Sequence, residues 1–315
     1  MTRSLLAMAS ITLTEVLRQP AFGIVVLVTL FTYALSPLFA LFSLGAESSV
    51  LKDFGTSTLL LSGWVLTCLA ASHVVRREIE LRTTLTLLSK PISRELFLMA
   101  KFLGVVGAVA LAIYVFTLAL LLAARQGPLG AHPGLSVDWP VLVGGPGAVL
   151  LALLVAGLRN FLGGHSFSSS SIGLSAVFLS AGVLLAACFD PGWAPQALAG
   201  GFDPRLVAAA LLSFLALVVL GGFAVSVSVW IGRGGTFALT AALFVAGLSL
   251  TSLSPAARLG LLVVPEFQFF WIGELFYLPE GELPAGHLAS CAGYAAGYVV
   301  FYLALGSWGF RHKGL

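Results

Sequence analysis

Long apolar runs without charge are the feature that most constrains how this chain can fold. A helix needs about 20 consecutive apolar residues to cross roughly 30 Å of hydrocarbon. With 59% hydrophobic residues, 9% charged residues and a mean hydropathy of +1.04, the chain is far more apolar than a soluble domain. The sequence therefore predicts a multi-pass membrane protein with eight spans, approximately at 21–43, 56–75, 101–124, 145–162, 170–189, 206–231, 237–254 and 288–309.

The runs are continuously apolar, and this decides which secondary structure they adopt. Lipid offers no water to backbone polar groups, so only helices and closed barrels span a membrane. Barrel strands alternate between apolar and polar residues over about ten positions, whereas these runs do not alternate. We therefore expect an all-α bundle of about eight transmembrane helices that forms one domain over residues 1–315.

Residues 1–20 predict a helix that lies in the membrane interface before the first span. Glu15 and Arg18 precede the first apolar run and no small-residue cleavage site follows it closely, which argues against a cleavable signal peptide. Pro20 ends the helical pattern. The apolar residues of this segment share one helical face: Leu6, Ala9, Leu13, Val16 and Leu17.

The loops between the predicted spans differ in charge on the two sides of the membrane. An even number of spans puts both termini on one side, and the positive-inside rule makes that side cytoplasmic. The basic side holds Arg3, Arg18, residues 76–101, Arg159, Arg233, Arg311 and Lys313. The other side holds Asp138, Asp190, Asp203, Glu266, Glu274, Glu280 and Glu282, with Lys52, Arg125, Arg205 and Arg258 as its cations.

The sequence lacks the motifs of a catalytic or metal site. It contains no GxxxxGK[ST] phosphate loop, no HExxH and no GxSxG. Cys68, Cys188 and Cys291 lie far apart without a CxxC pair, so they predict neither a disulfide framework nor a thiol metal site. We expect no catalytic residue, no metal and no cofactor on this chain, and hence no enzyme.

The interiors of the predicted spans also lack ionisable residues. Such residues usually mark ion pathways and proton relays inside a membrane. A secondary transporter driven by protons or sodium needs groups of this kind, so the transport energy is expected to come from elsewhere.

Charge is concentrated in residues 76–101, which we call the elbow. This segment holds nine of the chain's 16 basic and 13 acidic residues. Pro91 disfavours helix at the residue before it, and Ser93 is a suitable N-cap for a new helix that begins at Arg94. The sequence thus predicts a helix that extends the second span, a sharp break, and a helix that enters the third span. The first half carries an apolar stripe, formed by Leu81, Leu85 and Leu88. A solvated loop that merely obeys the positive-inside rule remains the alternative.

Two stretches of the sequence resemble a known family. The run 77–104 reads REIELRTT, then LLSKPISR, then KFLG. It resembles the E-x-E-x-(G/R)-T, L-L-S-(K/R)-P-(I/V)-S-R, K-(F/L)-L-G string of type-2 ABC transporter permeases, which lies between their second and third spans. VPEFQFFW at 264–271 resembles the P-x-F-Q-F-F-W segment of the permease group of the nitrous-oxide reductase maturation transporter, which serves a multi-copper enzyme, and Phe310-Arg311-His312-Lys313 after the last span fits as well. Six spans are usual in that family, whereas we count eight.

The resemblance implies the membrane-spanning permease subunit of an ATP-driven exporter in a bacterial inner membrane. ATP and Mg²⁺ would bind to a separate cytoplasmic ABC ATPase subunit, which would touch the elbow. The other expected partners are a second permease copy or paralogue in a dimer, the lipid bilayer and an extracytoplasmic protein, with no nucleic acid. The coupling residues implied by the resemblance are Glu78, Glu80, Arg82, Thr83, Leu88, Ser89, Lys90, Pro91, Ser93 and Arg94.

The segment 254–287 is rich in aromatic residues and is punctuated by prolines. An aromatic belt at the outer membrane interface is one interpretation. The other is a lid over the export pathway or a docking face for an extracytoplasmic partner. The candidate residues of this lid or interface are Pro265, Phe267, Gln268, Phe270 and Trp271.

Other functional classes remain open at the level of sequence. His165 lies beside a serine-rich run that begins at Ser166, but adjacent residues do not hold the geometry of a catalytic triad. A secondary transporter is disfavoured by the uncharged span interiors, and a non-transporting membrane scaffold would share every feature except coupling to ATP. Gly293-x-x-x-Gly297 in the last span is a pattern of close helix packing, which more often reports packing within a chain than a dimer seam.

Overall fold

The computed structural model describes residues 2–39, 47–80, 94–127, 137–197, 201–250, 263–278, 283–284 and 286–312. Throughout these ranges the regular structure is helical and no strand is formed, which confirms the all-α prediction. The helices are α1 (Thr2–Leu17), α2 (Pro20–Phe39), α3 (Glu47–Glu80), α4 (Arg94–Gln126), α5 (Trp139–Gly163), α6 (Phe167–Cys188), α7 (Pro204–Ser228), α8 (Arg233–Ser249) and α9 (His287–His312). Between α8 and α9 lie two 3₁₀ turns, Phe267–Phe270 and Gly273–Phe276.

Seven of these helices are long and apolar enough to cross a membrane: α2, α3, α4, α5, α6, α7 and α9. They indicate a multi-pass membrane protein. The expected seventh span, 237–254, corresponds to α8, which has 17 residues and is shorter than the others. Residues 251–254 lie outside the described ranges, so the count of eight spans stays a prediction.

Helix α4 lies at the centre of the bundle. Over its most apolar stretch 67% of the positions are buried, the largest share among the seven candidate spans. It packs against α1, α2 and α3 and also against α6 and α7. Fully buried alanines on α4, namely Ala100, Ala108 and Ala112, allow its neighbours to approach closely.

Helices α5 and α6 cross with their backbones in close contact. The first turns of α5 include a widened π turn, Val143–Gly147, that contains Pro146. A proline cannot donate a backbone hydrogen bond, and π turns often accommodate such a break in a helix. A Cβ atom added at Gly182 of α6 would overlap the backbone of Gly144, and the reverse also holds. Two glycines therefore make this crossing possible.

We predict that Gly182→Ala destabilises the protein, because the added methyl group meets backbone rather than a flexible side chain. Overpacking of this kind costs about 1–3 kcal/mol. Gly173→Ala on the same helix is the matched control, since a Cβ there meets no atom within 4 Å. Thermal unfolding in detergent should show a lower melting temperature for Gly182→Ala and an equal or higher one for Gly173→Ala. Equal melting temperatures for the two variants would contradict the crossing.

The N-terminal segment forms a helix, as predicted, but its buried face differs from the predicted stripe. Val16 and Leu17 are buried, whereas Leu6 is 64% exposed and Thr12 is fully buried instead. The reason is a long-range contact, because Thr12 sits against Gly104 of α4. The location of α1 in the membrane interface stays a prediction.

The helix ends fall into two groups, which we call the α1 end and the far end. At the α1 end, Ser168 Oγ at the start of α6 donates to Leu17 O at the end of α1. At the far end, Lys52 Nζ near the start of α3 lies 2.8 Å from Asp203 Oδ2, next to the start of α7. Arg18, beside the α1 end, was assigned to the basic side and Asp203, at the far end, to the acidic side. Which end is cytoplasmic stays a prediction.

Candidate functional site

Helices lead into and out of the elbow on both sides of the residues 81–93, which lie outside the described ranges, so the predicted break between them stays a prediction. Helix α3 continues beyond the expected end of the second span, through Glu78 to Glu80, and α4 begins at Arg94 and runs without a break through Lys101. The side chains of Glu78, Glu80 and Arg94 are not among those described. The remaining coupling candidates lie outside the described residues: Arg82, Thr83, Leu88, Ser89, Lys90, Pro91 and Ser93. The elbow itself thus stays a prediction.

Helix α1 rests on the first part of α4, directly after the elbow. Gly104 of α4 leaves room for Thr12 and for the carbonyl oxygen of Ala9, and Gly107 leaves room for Leu13. Close-packed interiors transmit displacement rather than absorb it. A movement of α4 at this end would therefore displace α1.

Ser168 connects the end of α1 to the start of α6. Its hydroxyl lies 2.8 Å from Leu17 O and 3.1 Å from Gln19 O, and Gly23 leaves room for the same side chain. The last carbonyls of a helix lack intrahelical partners, and this hydroxyl donates to them. Ser168 therefore has a structural role, while His165 nearby is exposed.

At the far end, the aromatic segment 263–278 packs into the bundle rather than lying over it. Pro265, Phe267 and Phe270 are buried, Trp271 is partly buried and Gln268 is exposed. The ring centroid of Phe267 lies 5.5 Å from that of Phe244 on α8, and Gly247 on α8 leaves room for Pro265 O and Phe267. Of the five predicted lid or interface residues, Gln268 is thus the one whose side chain is most accessible.

Three tyrosines on α9 hold the start of this segment, and we call them the tyrosine ladder: Tyr294, Tyr298 and Tyr302. Their spacing of four residues places them on one helix face. The backbone N–H of Glu266 donates to Tyr294 Oη at 2.8 Å. Tyr302 Oη donates to Val263 O at 2.7 Å, and Tyr298 Oη lies 3.4 Å from Val264 O. Because residues 263–266 are not in a regular helix, these hydroxyls satisfy backbone groups that would otherwise be costly to bury.

An ion cluster fixes the other end of the aromatic segment. Asp203 caps α7 and receives hydrogen bonds from Lys52 and Arg205 at 2.8–3.2 Å. Partial burial by itself raises the pKa of Asp203, but these hydrogen bonds outweigh it and lower the pKa to about 2. Arg205 Nη1 also donates to Leu275 O and Leu278 O at 2.9 and 3.1 Å. The aromatic segment is thereby connected to α3 and α7.

A second ion pair joins α4, α5 and the loop after α6. Arg125 Nε donates to Asp138 Oδ2 at 2.9 Å, and both side chains are almost completely buried. Arg125 Nη2 also donates to Phe189 O at 2.6 Å, while Asp138 Oδ1 accepts from Val141 N and caps α5. Separating the elements would leave a buried charge without its partner, which is strongly unfavourable. The pair therefore holds the far ends of α4 and α5 and the loop after α6 together.

The interiors of the seven candidate spans contain no Asp, Glu, Lys or Arg. The charged residues on these helices lie near helix ends, as Lys52 and Asp53 do on α3 and Lys101 does on α4. Within the described ranges, no group of three or more His, Cys, Asp or Glu side chains is placed to hold a metal ion.

Comparison of the chain with protein-family models, with curated proteins and with solved structures gives no match in any of the three.

The tyrosine ladder and the ion cluster were not assigned from the sequence. The spacing of Tyr294, Tyr298 and Tyr302 was a visible signal for one helix face, but the sequence does not indicate which segment would face them. Asp203 and Lys52 were placed on the same side of the membrane by their loops. Their contact depends on the packing of α3 against α7, which joins residues 151 positions apart.

We predict that Tyr294→Phe accelerates amide exchange at Glu266, because the variant removes the hydroxyl that accepts this N–H. The ring contacts to Phe269 and Phe270 are kept. Loss of one hydrogen bond of about 1 kcal/mol corresponds to roughly fivefold faster exchange. Tyr277→Phe is the control, since that side chain is 50% exposed. Hydrogen–deuterium exchange with mass spectrometry measures both, and an unchanged rate at Glu266 would contradict the ladder.

Proposed function

We propose that this chain is the membrane-spanning permease subunit of an ATP-driven (ABC) exporter and works with a separate cytoplasmic ATPase. One observation carries the proposal. A charged segment that resembles the coupling segment of type-2 ABC permeases lies between a helix that continues to Glu80 and a helix that begins at Arg94. Both helices belong to the core of the bundle, so a force on the elbow would act on its centre.

The distribution of charged residues along the candidate spans supports an energy source on another chain. Secondary transporters usually carry ionisable groups inside their spans, whereas the candidate spans here are charged only near their ends. ATP and Mg²⁺ on a partner chain would supply the energy that this chain has no group to supply. A secondary transporter is the less favoured alternative on this ground.

In the proposed mechanism, the ATPase docks on the elbow and moves α3 and α4. Glu78, Glu80, Arg82 and Arg94 would contribute charge to the docking surface, and the break at Pro91 would separate its two helices. Helix α1 would follow α4, because Thr12 and Leu13 pack against Gly104 and Gly107. The α1 end is then cytoplasmic, together with both termini, and the membrane is the bacterial inner membrane.

The far end would hold the exit of the pathway, closed by the aromatic segment. Pro265, Phe267 and Phe270 are buried against the bundle, and the tyrosine ladder holds the backbone beside them. Release of cargo would require these contacts to loosen. Gln268 and Trp271 would remain available to an extracytoplasmic partner.

A second copy of the permease would pack against α9. Only 17% of the positions in its apolar stretch are buried, the smallest share among the seven candidate spans. Gly293 and Gly297 are both exposed on this helix, and a Cβ added at either meets no atom of the described residues within 4 Å. Among the described residues, these glycines therefore have no packing partner within the chain. A glycine face of this kind allows close helix association.

Copurification with a candidate ABC ATPase that is coexpressed with this chain tests the proposal. We compare the wild type with a Glu78→Lys, Arg82→Glu double variant. The exchange keeps a pair of opposite charges four residues apart, so it preserves helix propensity while it reverses both charges on the docking surface. Like charges placed opposite each other cost several kcal/mol at an interface, so we expect recovery of the ATPase to fall at least roughly tenfold.

The matched control is Glu274→Lys, which reverses an exposed carboxylate at the far end. It should leave recovery of the ATPase unchanged. A folded wild-type chain that recovers no ATPase would contradict the proposal and favour a non-transporting scaffold. Equal recovery with the double variant and the wild type would remove the elbow from the interface.

A further inference from the structure

A cleft of about 650 Å³ opens at the α1 end, between α1, the start of α2 and the end of α3. Its walls combine charged, amide and apolar side chains. The residues that matter for its chemistry are Ile11, Glu15, Arg18, Gln19, Pro20 and His73. No described residue of the elbow or of the aromatic segment lines this cleft.

Gln19 is the buried polar group of the cleft. Its side chain is 91% buried, and its amide Nε2 finds no hydrogen-bond partner among the residues that the structure describes. Its backbone is fixed by hydrogen bonds to Val16, Gly23 and Ser168. A buried amide donor without an acceptor is unfavourable. We therefore expect a ligand oxygen to accept a hydrogen bond from Gln19 Nε2.

The cleft offers both signs of charge beside this amide. Arg18, the next residue, is exposed and cationic. Glu15 is partly buried, and its Oε1 lies 4.0 Å from His73 Nε2. A ligand that carries one anionic and one cationic group would therefore match the cleft better than an ion of either sign.

An apolar surface continues from the cleft along α2. Pro20 stands in the cleft wall, and exposed residues follow on the same helix face: Ile24 at 60%, Val28 at 58% and Phe31 at 65%. Their spacing of three to four residues makes a continuous stripe. The stripe starts at the cleft and extends along a candidate span, as an acyl chain would.

We propose that the cleft binds the headgroup of a phosphatidylethanolamine molecule from the leaflet at the α1 end. The phosphate accepts hydrogen bonds from Gln19 Nε2 and from Arg18, and the primary ammonium donates to Glu15. One acyl chain lies along the stripe on α2. This binding site is independent of whether the chain is a permease.

The chemistry of the headgroup distinguishes phosphatidylethanolamine from the other two phospholipids considered. Phosphatidylcholine carries the same two charges, but its quaternary ammonium has no N–H to donate to Glu15. Phosphatidylglycerol keeps the phosphate and has no cation. Hydrogen bonds between charged groups are the strong ones in such a site, so both lipids should bind roughly tenfold or more weakly than phosphatidylethanolamine.

Native mass spectrometry of the full chain, delipidated in detergent and titrated separately with the three lipids, measures these affinities. We expect one phosphatidylethanolamine per chain in preference to the other two. Phosphatidylglycerol or phosphatidylcholine bound as tightly as phosphatidylethanolamine would overturn the proposal. So would the absence of a bound lipid at stoichiometric level.

Three variants, Gln19→Leu, Glu15→Gln and Arg18→Gln, separate the roles in the cleft. Gln19→Leu should weaken binding of phosphatidylethanolamine roughly tenfold, and Glu15→Gln should abolish its advantage over phosphatidylcholine. Arg3→Gln is the control for Arg18→Gln, because Arg3 is exposed at the other end of α1. It should bind as the wild type does, while Arg18→Gln binds more weakly. Thermal unfolding without lipid checks folding, and unchanged affinity in both Glu15→Gln and Arg18→Gln would overturn the proposal.

Discussion

Apolar helices in lipid gain no hydrophobic free energy when they associate. The bundle therefore depends on close helix crossings and on buried hydrogen bonds. Gly144 and Gly182 bring α5 and α6 into backbone contact, and Gly104 lets α1 reach α4. Ser226 Oγ donates to Tyr302 O between α7 and α9. These contacts are specific in a way that apolar surface alone is not, because each requires a small side chain or a hydroxyl at one position.

The two ends of the bundle differ in how they are held. At the α1 end the described contacts are packing, single hydrogen bonds and the approach of Glu15 to His73 at 4.0 Å. The charged side chains of the elbow between residues 76 and 94 lie outside those that the structure describes. At the far end, Asp203 and Arg205 anchor one part of the aromatic segment. The tyrosine ladder anchors its start deeper in the bundle, where Tyr302 also accepts a hydrogen bond from Ser226 of α7. A permease driven from its cytoplasmic side would need this asymmetry, with a receptive surface where ATP acts and a closed exit opposite.

Local signals in the sequence predicted local structure well. Hydropathy predicted a helix at each of the eight runs. Pro91 and Ser93 lie outside the described residues, so the helix start that they predict stays a prediction. The start of α3 was misplaced: it begins at Glu47, although Lys52 and Asp53 give this stretch the composition of a loop. Lys52 is paired with Asp203, and such distant pairs leave no local pattern. The same reason explains the buried Thr12 and the unassigned tyrosines, because their partners are set by packing.

Photo-crosslinking tests most directly whether the elbow receives an ATPase. A photo-reactive amino acid is placed at Ser89 in the elbow or, as the control, at Gln268 in the aromatic segment, and the chain is coexpressed with a candidate ABC ATPase. We expect a crosslink to the ATPase from position 89, altered by ATP, and none from position 268. A crosslink from position 268 alone, or from neither position in a chain that inserts and folds, would contradict the assignment of the α1 end as the side on which ATP acts.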